Sequence, residues 1–158
     1  MDGTILRMSD VKGNKGAEAL RATVVFQLGT LGTLAADRFA AQVEALGLKP
    51  KHAGVLAALD AGAAASQQEL ASRLGVAPSL IVALADQLQE LGAVERVRDP
   101  EDRRRQVLSL TGEGRRLLAC CVGAAETVDA ELTAGLSETQ RSSLARGLRA
   151  LGEQQLPG

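Results

Sequence analysis

Two runs of alternating apolar and polar residues, separated by an arginine-rich loop, constrain the fold of this chain more than any other feature. The runs are Val94-Glu-Arg-Val-Arg98 and Gln106-Val-Leu-Ser-Leu110. Alternation with a period of two is typical of a strand with one buried face. The loop between the runs carries Arg103, Arg104 and Arg105. The pattern therefore predicts a β-hairpin with a cationic tip, a shape suited to placing arginines against DNA phosphates.

Two short helices joined by a tight turn are predicted before the hairpin. Ser66-Gln-Gln-Glu69 has the residues of a capping box, in which each terminal side chain accepts a hydrogen bond from the other's backbone N–H. Gly75 supplies the turn, and Pro78 begins the second helix. The inward positions of the second helix recur at spacings of three and four, at Ile81, Leu84, Leu88 and Leu91. This order is that of a helix-turn-helix followed by a hairpin.

Longer helices are predicted on both sides of this region. One helical pattern runs from Ala17 to Leu46, after a tail at residues 1–16 that we expect to be mobile or ordered by a partner. After the hairpin, Thr111 is placed to cap one helix, and Ser137-Glu-Thr-Gln140 is a second capping box. The last helix is expected to bury Leu144, Leu148 and Leu151.

Composition and charge limit the class of protein. The 158 residues support one domain, and with 46% apolar but only 1% aromatic residues its core must consist of Ala, Leu and Val. The net charge is −1, yet residues 96–116 hold seven arginines against four carboxylates. Over residues 50–111 the acids outnumber the bases by one. The cationic character is therefore confined to the hairpin and the start of the next helix.

Several functions are disfavoured by the residues that the chain lacks. No apolar run is long enough to span a membrane and the first residues do not resemble a signal peptide, so we expect a cytoplasmic protein. With His52 as the only histidine and no phosphate-binding loop, we expect no enzyme, no cofactor and no metal site. Cys120 and Cys121 are interpreted as small core residues in a reducing compartment, and a redox sensor is the alternative.

Two segments together resemble a known family. Residues 75–96 look like a recognition helix and its exit, and residues 99–115 contain an Asp-x-Arg pair, alternating residues and Leu-Thr-x-x-Gly. This combination resembles the MarR family of bacterial winged helix-turn-helix regulators, over about residues 20–155. The resemblance implies a mainly α fold with a small β-hairpin wing, and a homodimer of interlocked N- and C-terminal helices. The segments are then a dimerisation helix at 17–49, a DNA-binding lobe at 50–111 and C-terminal dimerisation helices at 112–158.

The resemblance also implies roles for single residues. Arg104 matches the wing arginine that enters the minor groove, flanked by Arg103 and Arg105, and Asp102 matches the acid that holds it. The recognition helix would meet base edges through Ser79, Leu80, Val82 and Ala83, with Gln87 beside them.

The recognition helix departs from the family's usual pattern. The family commonly has Thr and Arg where this chain has Val82 and Ala83, which reach at most a thymine methyl. Direct readout would then depend on Ser79 and Gln87, while Asp86 would repel phosphates, as would Glu90.

The implied function is that of a ligand-responsive regulator, most often a repressor, that binds a pseudo-palindromic operator. A small phenolic or amphipathic effector would bind between the dimer helices and the DNA lobe, near Phe26, Phe39, His52 and Leu56. Ordinary core or dimer packing is the alternative role for these four residues. The alternative for the whole protein is a MarR-like protein-interaction module with weak or lost DNA affinity.

Overall fold

The computed structural model describes residues 8–62 and 65–155, with side chains described from Lys15 onward. The described residues divide into two units, one that ends at Arg38 and one that begins at Phe39. The elements are α1 (Met8–Arg21), α2 (Val24–Glu44), α3 (Pro50–Asp60), α4 (Gln67–Leu74), α5 (Pro78–Glu90), β1 (Val94–Arg98), β2 (Gln106–Leu110), α6 (Gly112–Leu132) and α7 (Glu138–Gln155).

The single helix predicted from Ala17 to Leu46 is wrong, because the chain turns between α1 and α2. The Thr23 hydroxyl donates to the Leu20 carbonyl at 2.7 Å and accepts the Phe26 N–H at 3.4 Å. It thus starts a new helix in the manner of an N-cap. Helix α1 already begins at Met8, inside the predicted tail, and the rest of that tail at residues 1–7 lies outside the described residues.

No single helix among the described residues is both long enough and apolar enough to span a membrane. The stretch from Lys15 to Arg21 and helix α2 are long and apolar enough only when taken together, and they meet at a bend of 65°.

The core of the second unit lies where α3, α4, α5, α6 and the hairpin meet. Its largest fully buried apolar side chains are Leu56, Leu70, Ile81, Leu88 and Leu108. Burial of each such side chain stabilises the fold by about 1.5–3 kcal/mol. The predicted inward face of α5 is confirmed except at Leu91, which follows the last helical residue and is 39% exposed.

The hairpin forms as predicted and carries one connection that the sequence did not indicate. Strands β1 and β2 pair antiparallel, with Val94 opposite Leu110 and Arg98 opposite Gln106. In addition, Ala65 makes an isolated antiparallel bridge to Leu108, with N···O distances of 3.1 and 2.8 Å between the two residues. The hairpin is therefore attached by backbone hydrogen bonds to the segment just before α4.

Side-chain caps begin three helices of this unit, α4, α6 and α7, as predicted. The Ser66 N–H donates to Glu69 Oε2 at 2.7 Å, and the Glu69 N–H donates to Ser66 Oγ at 3.2 Å. Ser137 and Gln140 form the same reciprocal pair, and Thr111 Oγ1 accepts the Gly114 N–H at 3.0 Å. Each cap satisfies backbone donors that a helix start leaves unpaired.

The apolar side of α7 is not covered within the single chain. Leu144, Leu148 and Leu151, which were expected to face inward, are each more than 40% exposed. Large apolar side chains of α2 are exposed as well, among them Leu28, Leu31 and Leu34. Helices α2 and α7 therefore each carry exposed apolar side chains at helical spacing.

Candidate nucleic-acid interface

Helix α5 presents a solvent-accessible face made of the residues predicted to meet base edges. Ser79, Val82 and Ala83 are exposed, whereas Ile81, Leu84 and Leu88 are buried on the opposite side. Leu80 is different, because it is half-buried and packs against the core. Only part of the Leu80 side chain is therefore accessible for the contact with base edges that the sequence led us to expect.

Gln87 is held by a buried histidine, which the sequence did not reveal. His52 is 2% exposed, and its Nδ1 accepts the Lys49 backbone N–H at 3.0 Å. The neutral ring therefore carries its proton on Nε2, which lies 2.8 Å from Gln87 Oε1 and donates to it. The contact engages one of the two lone pairs of the Gln87 oxygen and fixes the orientation of the amide, so Gln87 offers its NH₂ group and one remaining lone pair.

Lowering the pH is expected to destabilise this unit through His52. Burial, with a smaller contribution from the Lys49 charge, lowers the pKa of His52 below its ordinary value of 6.5. The unfolded chain then binds this proton at a higher pH than the folded chain does. The stabilisation is complete above about pH 6.5 and decreases as the pH falls towards the folded pKa.

Chemical denaturation between about pH 7.5 and about pH 5 measures this loss. The His52→Gln variant should have a flatter profile of unfolding free energy against pH. A profile as steep as that of the parent would show that other groups cause the loss.

Asp86, near the centre of α5, forms an ion pair with an arginine of the hairpin. Arg96, on β1, donates to the Asp86 carboxylate and to the Gln89 side-chain oxygen, both on α5. The Arg96 side chain is 27% exposed and that of Asp86 55%, so the ion pair lies at the surface with its guanidinium the more protected partner. Repulsion of phosphates by Asp86, which the sequence led us to expect, is correspondingly reduced.

Asp102 orders the hairpin tip through the backbone and not through the Arg104 guanidinium. Its Oδ1 accepts the Arg104 backbone N–H at 3.0 Å, and its carbonyl oxygen accepts the Arg105 N–H at 2.8 Å. Asp99 does the same at the start of the turn, where Oδ1 accepts the Glu101 N–H at 2.9 Å. The expectation that Asp102 directly anchors the Arg104 side chain is therefore wrong in this structure, although the acid does shape the turn.

The Arg105 guanidinium is engaged by carboxylates, unlike those of its two neighbours in the turn. Its guanidinium is 3.3 Å from Glu69 Oε1 on α4 and 3.8 Å from Asp99 Oδ2. Arg103 and Arg104 are exposed, and their guanidinium groups make no hydrogen bond or ion pair with the residues that the structure describes. These two arginines are thus the cations of the tip that remain available to an anionic partner.

Three of the four residues expected near an effector lie in the second unit, in different environments. Leu56 is wholly buried in the core, which fits the alternative role of core packing. Phe39 is half-buried against the same core, and Phe26, 40% exposed, belongs to the other unit. His52 borders a surface groove of about 330 Å³, next to a larger groove of about 490 Å³. The larger groove is lined by Lys49, Pro50, Lys51, Leu80, Ala83, Leu84 and Gln87.

The two cysteines lie on α6 in different environments. Cys121 is buried, and burial raises the pKa of its thiol, as expected for a core residue. Cys120 is half-buried, with its Sγ 3.8 Å from Arg116 Nη1. Among the residues that the structure describes, no three His, Cys, Asp or Glu side chains form a group that could hold a metal ion.

An exposed helix face that lies beside an antiparallel hairpin with a cationic tip defines the winged helix-turn-helix class of proteins. Comparisons with known proteins agree with this class. Residues 46–105 match the model of the MarR family. A transcriptional regulatory protein for the hcr operon of Thauera aromatica is 33% identical to this chain. The alignment covers 87% of this chain and 86% of that protein. The chain therefore belongs to the MarR family of transcriptional regulators.

Two solved structures show the same fold. One is the transcriptional repressor CouR bound to a 23-mer DNA duplex, with a TM-score of 0.73 and 30% identity over 84% of this chain and 94% of that one. The other is CouR from Rhodococcus jostii RHA1 bound to p-coumaroyl-CoA, with a TM-score of 0.70 and 26% identity. This second alignment covers 88% of this chain and 98% of that one. The predicted fold class, mainly α with a hairpin wing, is confirmed.

Proposed function

We propose that this protein is a ligand-responsive transcriptional repressor that binds a pseudo-palindromic operator as a homodimer. The observation that carries the proposal is the pair of unengaged arginines, Arg103 and Arg104, at the tip of a hairpin that lies beside an exposed helix face. A guanidinium group is well suited to the strongly negative minor groove of DNA. The helix face would at the same time enter the adjacent major groove.

The residues on α5 favour recognition of DNA shape over recognition of single bases. Val82 and Ala83 offer only apolar contacts, and the hydrogen bond from His52 holds the Gln87 amide in one orientation. Ser79 and Gln87 are the polar side chains that remain to form hydrogen bonds with base edges. Most of the sequence specificity would then come from the width of the minor groove at the wing arginines and from the deformability of the DNA.

Dimerisation is supported by the uncovered apolar surface of the terminal helices. Leu144, Leu148 and Leu151 on α7 are exposed, as are Leu28 and Leu31 on α2. Apolar residues at helical spacing on two helices are the kind of surface that interlocking with a second copy would bury. A twofold dimer would place the two recognition helices about 34–36 Å apart, in successive major grooves of a pseudo-palindrome.

An effector is proposed from the relatives and from the grooves beside α5. The related CouR structure holds p-coumaroyl-CoA, a phenolic and amphipathic compound. In this chain the lining of the larger groove includes the apolar Leu80 and Leu84 and the cationic Lys49 and Lys51. A small amphipathic anion that binds differently to two spacings of the lobes would shift the protein between DNA-bound and free states.

Selection of bound fragments from the genomic DNA of the source organism tests the proposal. A regulator should retain a few fragments that share a pseudo-palindrome and should bind them with an affinity that falls steeply as salt rises. Retention of no fragment in low salt, by a protein that is folded and dimeric, would overturn the proposal. That outcome would leave the protein-interaction module as the function.

A further inference from the structure

The five arginines of the wing, residues 96–105, fall into two groups by what their guanidinium groups contact. Arg96 is engaged with α5 and Arg105 with α4, and the Arg98 guanidinium donates to the Arg103 carbonyl oxygen at 3.2 Å across the turn. The guanidinium groups of Arg103 and Arg104 have no partner among the described residues. Position in the sequence does not predict this division, because three of the five arginines are consecutive.

Arg105 connects the wing to the start of α4 through a carboxylate whose two oxygens are both in use. Glu69 Oε2 accepts the Ser66 N–H as part of the capping box, and Oε1 accepts from the Arg105 guanidinium at 3.3 Å. The same guanidinium lies 3.8 Å from Asp99, the first residue after β1. These contacts stabilise the ionised form of Glu69, so its pKa lies below the usual range, with the Ser66 N–H as the largest cause.

Arg96 makes the corresponding connection to the recognition helix. It reaches Asp86 and Gln89, which lie one turn apart on α5. Together with the Ala65–Leu108 bridge, the two arginines attach the wing to both helices of the helix-turn-helix. The angle between the hairpin and the recognition helix is therefore set by side chains as well as by the core.

We propose that Arg96 and Arg105 position the wing on the helix-turn-helix, whereas Arg103 and Arg104 are left to contact DNA, Arg103 at a phosphate and Arg104 in the minor groove. This inference rests on the proposed function for its second half. Its first half concerns the free protein. The two groups of arginines should therefore differ in how their substitution changes the salt dependence of DNA affinity, because only a phosphate contact releases counterions.

The DNA test compares Arg105→Gln with Arg103→Gln on the duplex recovered in the genomic selection. Arg103→Gln should reduce the slope of log affinity against log salt by about 0.9 for each lobe, or about 1.8 for the dimer. Arg105→Gln should weaken binding by about two- to fivefold for each lobe at every salt concentration, with the slope unchanged. A slope reduced equally in both variants would overturn the proposal.

Glu69→Gln is the matched partner variant. Glutamine keeps the capping box of α4, since the amide oxygen still accepts from Ser66, but it removes the charge that holds Arg105. It should therefore reproduce the effect of Arg105→Gln, and the double variant should be no weaker than either single variant. Arg105→Lys should fail to restore affinity, since one ammonium does not span both carboxylates. Additive effects of the two glutamine variants would contradict the positioning role.

A second readout does not depend on DNA. Hydrogen exchange of the Asp99 and Arg105 backbone amides, which close the turn, should accelerate in Arg105→Gln and in Glu69→Gln but not in Arg103→Gln. If the selection retains no fragment, the proposed function fails while this measurement still decides whether Arg105 holds the wing. Unchanged exchange in all three variants would overturn the positioning role.

Discussion

Replacing Gly114 with alanine is expected to lower the free energy of unfolding by about 3 kcal/mol or more. A Cβ at this position would lie 2.1 Å from the Ala93 carbonyl oxygen and 2.6 Å from Leu110 Cδ1. The obstructing oxygen belongs to the backbone and accepts the Thr111 N–H at 3.1 Å, so it cannot move away without breaking that bond. The first turn of α6 therefore has to separate from the end of the hairpin.

Gly112→Ala is the matched control, two residues earlier in the same turn. A Cβ there meets no atom within 4 Å, and alanine has the higher helix propensity. Urea denaturation of the two variants should thus give a large loss for residue 114 and no loss for residue 112. Equal stability of both variants would show that α6 does not lie as close to Ala93 as the structure places it.

Replacing Arg104 with alanine is expected to weaken operator binding by about 1–3 kcal/mol for each lobe of the dimer, without unfolding it. Arg104 is exposed at the tip, and Asp102 fixes the direction of its backbone by accepting the Arg104 N–H. A guanidinium in a narrow minor groove gains from the concentrated phosphate potential, and a truncated side chain loses that contact entirely.

Titration of the selected duplex with parent and variant measures this loss. Arg149→Ala serves as the control, since it removes an exposed arginine of α7, outside the wing and α5. Thermal unfolding of both variants should match the parent. Unchanged operator affinity for Arg104→Ala would remove the wing tip from the binding mechanism, and an equal loss in both variants would indicate a general effect of net charge.

Local sequence patterns predicted the elements of the second unit well because their causes are local. The caps at Ser66, Thr111 and Ser137 involve residues three positions apart, and alternation over five residues sufficed for the hairpin and its pairing. The break between α1 and α2 was missed because helix spacing continues across it, while the Thr23 hydroxyl starts a new helix. The glycine of Leu-Thr-x-x-Gly was noted as a motif, but its cause, the Ala93 carbonyl, is twenty-one residues away.

The candidate site was predicted in part. The sequence placed Ser79, Val82 and Ala83 on the outer face of α5, and exposure in the structure agrees. It did not predict that Gln87 shares its oxygen with His52, thirty-five positions earlier. Nor did it separate Arg105 from Arg103, since Glu69 lies thirty-six positions from Arg105. Such partners are brought together only when α3, α4, α5 and the hairpin pack around one core.

By itself the sequence determined the helices of the lobe, their caps, the hairpin and the family to which the chain belongs. These follow from interactions between residues close together in the chain, where spacing alone decides which groups meet. Only the tertiary structure decided which polar groups of the interface are already engaged and which remain for DNA. That decision depends on distances of a few ångströms between distant segments, and hydrogen bonds and ion pairs form or fail over those distances.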